Sequence, residues 1–324
     1  MNNNSKMNIA GFFSGTGGIE YGLMKAGGFK TLYANDFDSY AAETYGLNFD
    51  ESHYELKDIN DVEFKKLPAV DIITGGFPCQ AFSVAGYRQG FNDEKGRGNL
   101  FFRIADAIVE KKPDVVLLEN VKGLVGHDEG KTFKVILETL KKLGYHTKWQ
   151  VLNSKDYGNI PQGRERIYIV SFKDEEACDR FEFPEPVKLT TKLTDLIDFK
   201  NKVDDKYYYT KAKNPTMWDV LSENITEEGV IYQWRRHYVR ANKSGVAPTL
   251  TANMGTGGHN VPLVKTKHGI RKLTPRECFN LMGYGKDYKL PAQADSRLYK
   301  QAGNAVVVTV VERIGKNINK ALNK

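Results

Sequence analysis

Short apolar runs and stretches of helical periodicity take turns along the first half of the chain. Residues 7–13 (MNIAGFF) are an apolar run that predicts a strand, and it breaks into Ser14-Gly15-Thr16-Gly17-Gly18. Ile19, Leu23 and Ala26 then recur on one helical face, and Gly27-Gly28 stops the helix. Residues 30–35 predict a second strand that ends at Asp36, and residues 70–74, 115–118 and 167–172 predict three more. Helical patterns lie between them, as at residues 100–111 and 131–143. Strands alternating with helices predict an α/β fold, a mostly parallel sheet covered on both faces.

Around Phe183-Pro184-Glu185-Pro186 the rhythm changes to short β-prone pieces, a Tyr207-Tyr208-Tyr209 run and a Gly/Asn-rich stretch. We read three segments: residues 1–186 as a large domain, 187–270 as a smaller domain of irregular β structure, and 271–324 as a return to the first. The helical pattern resumes near Leu273, and the apolar segment 305–314 is placed to complete the large domain. There is no internal repeat and no low-complexity tract.

Composition narrows the class. With 324 residues, 40% hydrophobic and 27% charged, the chain is an ordinary globular one, not a disordered one. Cys79, Cys178 and Cys278 are far apart and form no C-x-x-C, which argues against a cysteine-rich zinc site and a disulfide framework, and no metal is expected. No apolar run approaches the roughly 20 residues of a membrane span. The polar start, Met1-Asn2-Asn3-Asn4-Ser5-Lys6, lacks a signal-peptide core. The expectation is a cytoplasmic, reduced, monomeric protein. The net charge of +7 leans toward an anionic partner.

Four places carry candidate chemistry. The glycine cluster at 15–18 follows a strand and opens a helix, a geometry that admits a ligand to the backbone. Asp36 ends the next strand 19 residues after Gly17, where nucleotide-binding α/β domains place an acid on ribose hydroxyls. Glu20 stands where the third glycine of a dinucleotide fingerprint would be, which disfavours a nicotinamide dehydrogenase and suits an adenosyl ligand without phosphates. The alternative for the cluster alone is a ligand-free glycine-rich turn. Gly75-Gly76-Phe77-Pro78-Cys79-Gln80 brings a cysteine to a strand end, as a nucleophile or as an inert small apolar residue. A glycine-punctuated segment follows to Asn99 and has the look of a lid. Glu119 ends an apolar run, where desolvation favours a protonated carboxyl; the alternative is an exposed acid capping a turn. Arg164 and Arg166, two apart and entering a strand, point to one face and suit a polar substrate group or a surface ion-pair cluster.

In this order, the residues resemble the cytosine-C5 DNA methyltransferases over nearly the whole chain. The resemblance rests on F-x-G-x-G-G (13–18), Pro-Cys-Gln (78–80), Glu-Asn-Val (119–121), Q-x-R-x-R (162–166), RKLTPREC (271–278) and YKQAGNAV (299–306). It implies a Rossmann-like S-adenosylmethionine-dependent methyltransferase domain with a smaller, irregular β-rich target-recognition domain. Phe13, Gly15, Gly17, Gly18, Asp36, Phe37, Asp58, Ile59, Pro78, Leu100, Asn304 and Val306 match cofactor-contacting positions. Cys79 matches the nucleophile, Glu119 the residue at cytosine N3, and Arg164 and Arg166 the site arginines. Ser14 stands where alanine is common, and Asn159 is an extra residue before the arginines.

The resemblance implies transfer of a methyl group to C5 of a flipped cytosine in a short duplex DNA site, through a covalent Cys79–C6 adduct. The implied setting is bacterial restriction-modification, with an endonuclease acting on the same site. A tRNA cytosine-C5 methyltransferase and a catalytically silent nucleic-acid-binding protein are the rival readings. Gln80 and Ser83 are candidates for DNA contact. So are Arg235, Arg236, Arg240, Thr249, Leu250 and Thr251, in a stretch (229–276) with nine basic and no acidic residues. That stretch carries +9, leaving −2 for the remainder.

Overall fold

The computed structural model describes residues 6–78, 100–235, 237–256 and 260–323. These fall into two units. The described residues up to Leu152, Glu165–Glu185 and those from Val310 onward form the first; Asn153–Arg164 and Pro186–Thr309 form the second.

The first unit is built on one sheet. Its strands are β1 (Met7–Phe12), β2 (Phe29–Asp36), β3 (Tyr54–Leu56), β4 (Ile72–Gly75), β5 (Val115–Val121), β6 (His146–Asn153) and β8 (Glu165–Phe172); the two-residue β7 (Gln162–Gly163) lies in the second unit. Their order is β3-β2-β1-β4-β5-β8-β6. The first five in that order run parallel, and β8 runs antiparallel to β5. Helices supply the crossovers: α1 (Gly18–Ala26), α2 (Ser39–Gly46), α3 (Leu100–Lys111) and α4 (Lys131–Lys142).

The continuous apolar run Val115-Val116-Leu117-Leu118 suits a central strand buried on both faces, and all four residues are buried. Phe101, Ile104 and Ile108 of α3 and Phe133, Ile136 and Leu140 of α4 fall at helical spacing and join one apolar cluster. Burying each aliphatic side chain contributes about 1.5–3 kcal/mol. Ile19 and Leu23 of α1 are buried as well. The helix Val308–Leu322 crosses α1 at Gly315, where a Cβ would lie 2.9 Å from the Ala26 Cβ and from a Leu23 methyl.

Two local expectations change. Strand β5 continues to Val121, so Glu119 is a strand residue, paired with Tyr168 of β8, and does not end the run. The strand's antiparallel partner extends it past the last apolar residue. Arg164 falls between β7 and β8, whereas Arg166 lies inside β8. The alternation that puts residues i and i+2 on one face holds only within a strand, and here the two arginines belong to different units.

The second unit holds a four-stranded antiparallel sheet, β10-β9-β12-β13, from β9 (Ile231–Arg235), β10 (Tyr238–Asn242), β12 (Leu263–Thr266) and β13 (Gly269–Lys272). Strand β11 (Ala247–Pro248) pairs with β7. The sheet packs with the helix Pro215–Asn224 through Leu221, Ile225, Tyr232, Leu263 and Ile270. That helix, opened by a proline in its first turn, lies within the stretch expected to be irregular β structure. The residues from Val310 onward pack within the first unit. Arg271 is fully buried in the second unit, its guanidinium on both carboxylate oxygens of Glu277 at 2.8 and 2.7 Å and on the Asp198 carbonyl.

Candidate active site

The carboxyl ends of β1 to β4 gather most of the expected cofactor residues, the edge where open α/β sheets take ligands. Phe13, Gly15 and Gly17 all have positive φ (55°, 52° and 75°), so the chain leaves β1 through a left-handed turn. Three hydrogen bonds fix it. Gly15 N donates to Asp36 Oδ2 (2.9 Å), Ser14 N to the Asn35 carbonyl (3.0 Å) and Gly17 N to the Ser14 carbonyl (2.7 Å). Burial pushes the Asp36 carboxyl up, and main-chain donors at Asp38, Gly15 and Phe37 offset part of that rise. Phe37 presents its ring to solvent, 69% exposed. Gly18 is buried at the start of α1, Asp58 caps a short turn through the Asn60 N–H, and Leu100 opens α3 half-buried. Ile59 lies in the apolar core, 3% exposed. Asn304, exposed, and Val306, buried, belong to the second unit.

Beneath the turn sits a residue for which we expected no role. Glu20, 1% exposed, accepts from Ser14 Oγ at 2.6 Å. Its signal in the sequence was the acid replacing a third glycine.

The chemical end of the site is held by β4, β5 and β8. Glu119 is buried, and its Oε1 lies 3.1 Å from Arg166 Nε. Gly76 faces it, with room for a Cβ 3.6 Å from Glu119 Oε2. Asn120, next in β5, donates from Nδ2 to the Phe77 carbonyl at 2.8 Å, and its Oδ1 accepts from Val121 N. The strand that carries Glu119 thereby holds the main chain two residues before Cys79. Pro78 is exposed at the end of this described stretch. Cys79, Gln80, Ser83 and the segment to Asn99 lie outside the described residues, as does Arg236. Asn120 was visible in the sequence only as the middle of Glu-Asn-Val. Cys178 and Cys278 are free and buried, and burial raises both thiols.

Arg164 is bonded to main chain within its own unit. It is buried in the second unit, where Nη1 donates to the Leu250 carbonyl (2.6 Å) and Nη2 to the carbonyls of Gly303 (3.0 Å) and Ala305 (2.7 Å). Gln162 works alongside: its Oε1 accepts from Leu250 N (3.0 Å) and its Nε2 donates to the Leu281 carbonyl (2.7 Å). Gly303 lets the helix Asp295–Asn304 meet this segment backbone to backbone, since a Cβ there would fall 2.2 Å from the Thr251 carbonyl carbon. Three separate sequence motifs meet through these bonds. Arg164 is corrected from a substrate-facing residue to one that positions main chain.

The expected DNA-facing residues separate similarly. Leu250 is 1% exposed with both main-chain groups bonded, and this corrects its assignment. Thr249 is half-buried and its hydroxyl donates to the Gly163 carbonyl, while Thr251 is exposed and bonds Asn253. Arg235 and Arg240 are exposed on the β9–β10 ribbon, in register with Tyr238 and Gln233 respectively. Trp234 and Val239 pack against the unit's apolar cluster.

Comparison with known proteins gives this arrangement a class. Residues 7–320 match the family described as C-5 cytosine-specific DNA methylase. The chain is 56% identical to the Type II methyltransferase M.Bsp6I of Bacillus sp. (strain RFL6), over 98% of this chain and 99% of that protein. It is 40% identical to the Type II methyltransferase M.HhaI of Haemophilus parahaemolyticus, over 96% and 94% of the two chains. In fold it is similar to a mutant of Spodoptera frugiperda DNMT2, at TM-score 0.73 and 20% identity, covering 97% of this chain and 100% of that one. The protein belongs to the cytosine-C5 DNA methyltransferases. It methylates cytosine in double-stranded DNA with S-adenosylmethionine as donor. The exposed Phe37 ring, the Asp36 carboxylate and the positive-φ glycine turn fit an adenosyl ligand. Among the described residues no helix is long and apolar enough to cross a membrane.

Proposed function

We propose that Cys79, Glu119 and Arg166 act on the flipped cytosine, while Asn120 positions the main chain that leads to Cys79 and Arg164 holds main chain within the second unit. The Cys79 thiolate adds to C6, and the ring electrons shift to make an enamine whose C5 is nucleophilic. Glu119 meets N3 and Arg166 meets O2, holding the charge that develops on the ring. When bound, S-adenosylmethionine supplies an electrophilic methyl group. Removal of the C5 proton by a base then expels the Cys79 thiolate and restores the aromatic ring. The turn 13–18 with Asp36, Phe37, Asp58 and Leu100 holds the donor. The observation that carries this reading is the buried Glu119–Arg166 pair on the strand whose next residue, Asn120, ties down Phe77 beside Pro78-Cys79.

The second unit reads the DNA, with Arg235, Arg236 and Arg240 of the β9–β10 ribbon supplying phosphate and base contacts. The protein works as a cytoplasmic monomer beside an endonuclease of the same specificity. Bisulfite sequencing of plasmid from expressing cells tests the reading. Methylated cytosines should fall within one short sequence and vanish in Cys79→Ser. Labelled-methyl transfer to tRNA but not to plasmid would overturn the choice of substrate.

A further inference from the structure

Glu20 stands in the first turn of α1, and its carboxyl reaches back under the turn that leaves β1. Three residues are shaped to one another there. Ser14 Oγ donates to Glu20 Oε1 at 2.6 Å, with both side chains buried. Gly11 leaves the space they fill, since a Cβ on it would lie 1.8 Å from Glu20 Oε1 and 2.6 Å from Ser14 Oγ. Gly17, the residue before α1, offers no side-chain cap, and the Ser14–Glu20 bond is a side-chain link between the turn and the helix.

We propose that Glu20 is a positioning residue for the cofactor site, holding the Ser14–Gly17 turn through Ser14 in the form that receives the adenosyl ligand. The inference rests on the reading of that turn as the S-adenosylmethionine site. The neutral carboxyl is the form that fits. Glu20 is fully enclosed, and desolvation pushes its pKa up to about 7 against the opposing hydrogen bond from Ser14, with the Asp36 charge adding to the rise. Among the described residues, the groups facing it are Ser14 from the turn, Asp36 from β2, Tyr45 from α2 and Tyr54 from β3, and none of these is a cation. Ionised, Glu20 becomes an uncompensated buried charge, relieved by moving the turn toward water.

The test is calorimetric titration of S-adenosylmethionine and of S-adenosylhomocysteine into the full chain without DNA, at pH 6.5 and pH 8.0. About one molecule in ten is neutral at Glu20 one pH unit above its pKa, so both ligands should bind roughly tenfold more weakly at the higher pH. Glu20→Gln cannot ionise and should bind with little pH dependence. Asp36 is common to both proteins, so its titration cancels in the comparison. Ser14→Ala keeps the carboxyl but cuts the link, and it should weaken binding already at pH 6.5; this variant carries the test should Glu20→Gln fail to fold. Parallel pH profiles for wild type and Glu20→Gln would overturn the inference. So would wild-type affinity in Ser14→Ala, or a Glu20 effect confined to the sulfonium ligand, which would indicate charge attraction instead of positioning. Failure of the wild type to bind either ligand would sink the cofactor reading itself.

Discussion

Arg166 Nε and Glu119 Oε1 lie 3.1 Å apart across the β5–β8 ladder, with Arg166 opposite Val121 and Glu119 opposite Tyr168. Both side chains are largely withdrawn from water, so the pair is a shaped element of the site and not a surface ion pair. Glu119→Gln should lower the methyl-transfer rate by roughly 100-fold to 10,000-fold, the range of an acid–base group, with cofactor affinity nearly unchanged. Single-turnover rates beside calorimetric titrations check this. An equal loss in cofactor binding would count against a role at the base.

Asn120 acts one step further out. Its amide holds the Phe77 carbonyl at 2.8 Å, and Asn120→Ala leaves that buried carbonyl without its donor. The expected cost is about 1–3 kcal/mol, felt in the approach to Cys79. Formation of the covalent adduct with a 5-fluorocytosine duplex should slow about tenfold for every ~1.4 kcal/mol of that cost. Adduct formation at the wild-type rate would show that the bond does not hold the cysteine segment.

Arg164 predicts a different outcome although it is two residues from Arg166. Its guanidinium bonds three main-chain carbonyls, at Leu250, Gly303 and Ala305. Arg164→Met should destabilise the protein by about 3–5 kcal/mol, the usual loss when a buried hydrogen-bonded charge is removed from its partners. Gly303→Ala should be harmful as well, because the new methyl meets backbone at 2.2 Å. Thermal unfolding measures both. A stable Arg164→Met protein with a large catalytic defect would restore the arginine to the substrate.

This contrast marks what was legible in the sequence. Strand ends, the glycine turn and the motif order follow from local pattern, so the sheet and the turn that leaves β1 could be anticipated. Whether Arg164 faces a base or a carbonyl depends on which backbone passes it, and Leu250 and Gly303 come from 86 and 139 residues away. The same holds for Arg271, counted in sequence among nine basic residues but buried against Glu277. Glu20 lacked any signal beyond standing in place of a glycine, because its meaning comes from the space left by Gly11.

DNA binding separates the exposed from the buried arginines. Arg235→Ala and Arg240→Ala should each reduce the slope of log affinity against log salt by about 0.9 for every phosphate that the side chain neutralises. Arg271→Ala should leave the slope intact and instead cost about 3–5 kcal/mol of stability, because Glu277 would remain buried without its partner. Anisotropy titrations at several salt concentrations, paired with denaturant unfolding, distinguish the two. A slope change in a folded Arg271→Ala protein would mean that this side chain reaches DNA after all.

Glu20 also makes stability depend on pH. Its carboxyl titrates at about 7 in the folded chain, above the ordinary 4.5, so the folded state binds the proton more tightly. The stabilisation from that proton is complete below pH 4.5 and is lost as pH rises to about 7. Glu20→Gln has no proton to lose. Relative to wild type, the variant should therefore gain stability between these limits, by up to about 3 kcal/mol, and hold a constant difference above them. Urea unfolding of both proteins at half-unit steps from pH 5 to pH 8.5 measures the difference directly, and groups shared by the two proteins cancel. A difference that stays flat across the range would mean that Glu20 is ionised throughout, and that water or an unpaired donor reaches its carboxyl in the folded state.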